Sequence, residues 1–165
     1  MTDPTRAGVT VDASRLWAGG AAAALVAALI AVVGILLCRG VLDIPVLAPS
    51  REGAWGDADT VTYAVGSALV ALAATGLIHL LLLSTPRPYT FFGWVMFLGT
   101  LTAVIAPFAV TADRDSQFAT AGINLVLGVA IGSLVSGSAR SATRLARRPQ
   151  VPGRPLPPPS PYQRP

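Results

Sequence analysis

Four long windows carry no Asp, Glu, Lys or Arg: residues 16–38, 60–86, 89–112 and 116–139. All charge lies between them or in the tails. A bilayer core is crossed by roughly 20 consecutive apolar residues of helix. Each window is long enough to cross once. Backbone groups in lipid must find partners within their own segment, so the windows are predicted to be helices. A membrane β-barrel needs alternating segments of about ten residues, and none occur. Pro86 and Pro88 stop the second helix. The spans are therefore predicted at about 16–38, 60–85, 89–112 and 116–139, within a transmembrane domain of residues 16–139.

Composition agrees. Hydrophobic residues make up 53% of the 165 residues and charged residues 12%, about half the charge of a soluble domain. Mean hydropathy is +0.62. The predicted fold class is an all-α membrane protein, an antiparallel bundle of four transmembrane helices. The short linkers around Arg87 and Arg114 make helices two, three and four neighbours in order. The first span is too long for a signal-peptide core, and the site at Ala48 is followed by Pro49, so the span is expected to be retained. Leu37 before Cys38 argues against a lipoprotein anchor.

All 12 basic residues are Arg. Nine fall in the N-terminal tail (residues 1–15), the second loop and the C-terminal tail, and three fall in the other two loops. The positive-inside rule then puts both termini in the cytoplasm and the chain in the cytoplasmic membrane. Trp17, Tyr89, Phe91, Phe92 and Trp94 are expected as anchors at the inner interface. The basic juxtamembrane segment, 140–148, carries Arg140, Arg144, Arg147 and Arg148 as a stripe suited to anionic lipid headgroups. Residues 149–165 hold eight Pro and are expected to be disordered or polyproline II. The high pI comes mainly from the C-terminal tail from Arg140 onward, and no nucleic-acid partner is expected.

Few residues inside the spans can carry chemistry. His79 is the one ionisable residue other than Cys38 and the tyrosines in those windows. A hydrogen bond to Ser133 or Ser136 on helix four is its expected role, with cofactor ligation and a Ser–His dyad as alternatives. Asn124 is expected as polar glue between helices. A single Cys excludes an intrachain disulfide and paired-thiol redox chemistry. Asp57, Asp59 and Thr60, and likewise Asp113 and Asp115, are read as helix N-capping groups. Gly20, Ala24 and Ala28 on helix one, Gly128, Gly132 and Ser136 on helix four, and Ala64, Ala68 and Gly76 on helix two form small-residue faces that allow close packing. Pro107 is expected to kink helix three. No phosphate loop, paired-Cys metal site or dinucleotide fingerprint is present, and no cofactor is expected.

The segments VDASRLWAGG (11–20), VLAP (46–49), GLIHLLLLSTPRP (76–88), FFGW (91–94) and TAGINLVLGVAIGSLVSG (120–137) together resemble an uncharacterised family of four-helix membrane proteins from actinobacteria. The resemblance covers roughly residues 11–138. It implies the four-span fold and puts His79 and Asn124 within shared segments. It implies no activity.

These observations favour a non-enzymatic accessory or scaffolding subunit of a membrane assembly, with membrane lipids and another membrane protein, or a second copy, as partners. The alternatives are an oligomeric transporter or pore for a small neutral or lipophilic solute, and an enzyme or cofactor-binding protein using His79.

Overall fold

The computed structural model describes residues 12–49, 55–57 and 59–146. The expectations for the N-terminal tail up to residue 11, for Arg147 and Arg148, and for the Pro-rich segment lie outside the described residues. Four helices are long and apolar enough to cross a membrane. They are α1 (Ala13–Gly40), α2 (Thr60–Ser84), α3 (Pro88–Ile105) and α4 (Arg114–Ala146).

Each boundary has a local cause. Asp12 caps α1, its carboxylate accepting from the Arg15 N–H at 3.2 Å and the Ser14 hydroxyl at 2.9 Å. Asp59 caps α2 through the Thr62 N–H at 3.1 Å and the Thr62 hydroxyl at 2.8 Å. Both satisfy N–H groups that the first turn leaves without intrahelical partners. α2 ends at an extended Thr85, and Pro88 opens α3 at its first position, where a missing N–H costs nothing. Pro107 does not kink a longer helix as expected. α3 ends at Ile105, and Ala106–Ala109 form one tighter 3-10 turn. α4 begins earlier and ends later than its uncharged window. Arg140 and Arg144 thus lie on a helix continuous with the fourth span.

The core is built from small residues. Ala23, Ala27 and Ala31 of α1 and Ala71 of α2 are buried, with Ile35, Ile78, Ile131 and Val135 filling the remaining space. α1 packs along α2 and α4, and α4 also contacts α3 and α2. α3 is the least enclosed helix. Only 11% of its apolar window is buried, against 28–33% for the other three.

The first connection contains a feature absent from the sequence-based expectation. Leu47–Pro49 (β1) and Trp55–Asp57 (β2) pair antiparallel, Leu47 opposite Asp57. Within the apolar segment 41–47, Val41 and Leu42 are exposed, but Val46 and Leu47 are buried. The Leu47 N–H donates to the Thr120 hydroxyl on α4 at 2.9 Å. That hydroxyl donates in turn to the Ser116 carbonyl at 2.8 Å. The strands are thereby tied to the end of the bundle where α4 begins.

Candidate functional site, a lateral slot between helices two and three

Pro107 has no N–H, so the carbonyl four residues earlier, on Ala103, has no intrahelical donor. In lipid such a group is costly unless another donor reaches it. Asn124 on α4 supplies one, its Nδ2 donating to the Ala103 carbonyl at 2.7 Å. The same side chain accepts, at Oδ1, a short hydrogen bond from the Tyr63 hydroxyl on α2. One amide therefore joins α2 and α4 near their starts to α3 near its end. The carbonyl needs a donor, so the orientation of the amide follows from the chemistry.

Beyond this junction α2 and α3 flank a slot of about 970 Å³. Tyr63, Gly66, Val70 and Leu77 line it from α2, and Val95, Gly99 and Ala103 from α3. α4 forms the floor with Asn124, Leu127 and Ile131. Gly66, Val70, Val95 and Gly99 are exposed, so the slot opens sideways, where lipid surrounds the bundle. From Asp59 at its mouth to Leu77 it runs about 27 Å at 1.5 Å per residue. Gly66 and Gly99 have open space where a Cβ would stand. Their lack of side chains widens the slot and serves no close packing.

The polar residues of the slot are Asp59, Thr62, Tyr63, Ser67, Thr100 and Asn124. Ser67 donates to the Tyr63 carbonyl at 2.8 Å, a local bond that removes a hydroxyl from hydrocarbon. Asp59, at the mouth, is held below its usual carboxylate value of 3.8 by the Thr62 hydroxyl and then by the Thr62 N–H. Nothing charged faces the deeper part.

The residues singled out from sequence are distributed differently. His79 does not reach Ser133 or Ser136. Its Nδ1 accepts from the Trp17 indole N–H at 3.4 Å, with the rings edge to face and their centroids 6.4 Å apart. The reason is the register of α2, which turns His79 toward α1 and away from the slot. Ser133 bonds back to the Ala130 carbonyl at 3.0 Å, and Ser136 is half-buried. Phe92 is not an interfacial anchor. It is 1% exposed and belongs to the core, while Phe91 and Trp94 are exposed. Tyr89 is half-buried, its hydroxyl 3.2 Å from that of Thr143 and its ring beneath the Arg140 guanidinium, 5.5 Å from the centroid.

The small residues sit at helix crossings inside the chain. A Cβ on Gly20 would stand 2.5 Å from Thr75 Cγ2, and one on Gly128 would collide with Thr100. Gly132 lies over Met96. Ala24 is buried and Ala28 half-buried. On α2, Ala64 is buried, Ala68 is half-buried, and Gly76 faces open space. Among the described residues, no group of three or more His, Cys, Asp or Glu is placed to hold a metal ion.

A four-span helical bundle with a side-opening apolar slot defines an integral membrane protein. The chain belongs to a family of unknown function, DUF6069, matched over residues 11–141. No curated protein and no solved structure matches it. The family match takes in all four spans, the Tyr63–Asn124 junction and every residue lining the slot.

Proposed function

We propose that this protein binds a lipophilic molecule taken sideways from the bilayer, and that it does so without catalysing a reaction. The slot carries this reading. Protein interiors hold few voids larger than a water molecule. Apolar cavities stay dry, so water is a poor filling for a space of about 970 Å³ at hydrocarbon depth. Its volume is at the upper end of small-molecule sites, about 300–1,000 Å³. Its side opening faces the one phase in which lipophiles are concentrated. The slot ends near Leu77 and Ile131, short of the inner ends of α2 and α4. That favours holding or presenting a ligand over conducting one through the membrane.

The accessory role expected from the sequence is compatible with this reading: such a subunit retains a lipophile for a membrane assembly. The arginine asymmetry argues for a cytoplasmic membrane with both termini inside.

The test is binding of a fluorescent long-chain alcohol to the full chain in amphipol. Gly66→Leu is the informative variant. The Cβ at position 66 enters open space, so the fold is retained while the added side chain fills the slot. Probe affinity is expected to fall at least tenfold. Unchanged affinity in a folded Gly66→Leu protein would overturn the slot as the binding site.

A further inference from the structure

Resting on the slot as the binding site, we infer that its ligand is an extended hydrocarbon chain bearing a neutral oxygen function, which is read by Tyr63 and Asn124. The lining decides the hydrocarbon part. The slot offers about 970 Å³ along about 27 Å of helix, and its deeper walls are apolar and uncharged. An alkyl or isoprenoid chain laid along it meets hydrocarbon on every lined side.

The junction decides the head. Tyr63 gives its one hydroxyl proton to Asn124 Oδ1, and Asn124 gives one Nδ2 proton to Ala103. By the donor and acceptor inventory of these groups, one N–H of Asn124, a lone pair on its Oδ1 and a lone pair on the Tyr63 oxygen remain. A hydroxyl can use both the donor and an acceptor, and an ester or quinone carbonyl can use the donor. A cationic head has no such match. Asp59, the carboxylate among the lining residues, already accepts from the Thr62 N–H and hydroxyl, and no charge lines the deeper slot to offset desolvation.

The experiment compares n-hexadecanol, n-hexadecane and hexadecyltrimethylammonium as competitors of the fluorescent alcohol, using the full chain in amphipol. Hexadecanol is expected to compete about tenfold better than hexadecane, the effect of one net hydrogen bond of about 1.4 kcal/mol. Tyr63→Phe keeps the ring and removes one of the acceptors, so it is expected to reduce that difference, Asn124 keeping the rest, while hexadecane competes as before. Equal competition by alcohol and alkane in the parent chain would overturn the head assignment and leave the slot standing. Preference for the ammonium would overturn it too. No competition by any of the three, with Gly66→Leu binding probe like the parent, would overturn the slot itself. A Tyr63→Phe protein that keeps the full alcohol preference would remove Tyr63 from the site.

Discussion

Asn124 shows how a single polar residue acquires a role in lipid. Its amide answers a carbonyl that Pro107 strips of its donor, and it accepts a proton that Tyr63 must place somewhere. Interhelical hydrogen bonds in membranes average about 0.6 kcal/mol. Loss of both in Asn124→Ala is expected to cost about 1–2 kcal/mol, measured by reversible unfolding in mixed micelles. In Pro107→Ala the Ala103 carbonyl regains a backbone donor. The cost of Asn124→Ala is therefore expected to be smaller in that background, and additivity of the two substitutions would refute the pairing. The exposed caps make a separate prediction. Asp12, through the Ser14 hydroxyl and the Arg15 N–H, and Asp59, through the Thr62 hydroxyl and N–H, both bind protons less readily folded than their usual value of 3.8. Their stabilisation is complete above that value and is lost as pH falls through their lower folded values. Thermal melts of the protein in micelles from pH 7 to pH 3 are expected to fall in Tm below about pH 4. Asp59→Asn, which still caps, is expected to flatten part of that fall.

At the scale of elements, the tight and loose crossings are set by where side chains are missing. Gly20 admits Thr75 of α2, and Gly128 admits Thr100 of α3. Gly20→Leu and Gly128→Leu push a side chain into a packed crossing and are expected to destabilise by about 1–3 kcal/mol. Gly76→Ala, which meets open space, is expected to be neutral or to stabilise by up to about 1 kcal/mol through helix propensity. Unfolding of the three variants in one micelle system distinguishes a packing role from a merely compositional one. α3 stands apart: it starts at Pro88, is followed by a turn that holds Pro107, buries little of itself, and meets α4 more closely than α2. It forms one wall of the slot.

For the whole molecule, the two ends differ in charge and in construction. One end joins Arg140 and Thr143 of α4 to Tyr89 of α3, with Trp17 beside His79 at the start of α1. The other end carries the paired strands, held to α4 through Thr120. With nine of the 12 arginines on one side, a C-terminal reporter active only in the cytoplasm is expected to be active. A reporter inserted at Ser50, by contrast, is expected to require export. Activity of the C-terminal reporter only outside the cell would invert the topology.

What the sequence determined by itself was the number, kind and approximate ends of the spans. Uncharged length, proline stops and capping carboxylates are local properties, and lipid leaves the backbone no alternative to the helix. It also showed Asn124, Pro107 and the small residues as individual features. It could not show that Asn124 meets the carbonyl freed by Pro107, or that His79 faces Trp17 and not Ser133, because those depend on helix rotation and on which helices are neighbours. The strands at 47–49 and 55–57 are three residues each, too short for an alternating pattern to stand out. The slot was least legible of all. It is lined from three helices at once and depends on how they pack together, and a glycine that lines an opening reads in sequence like one that closes a crossing.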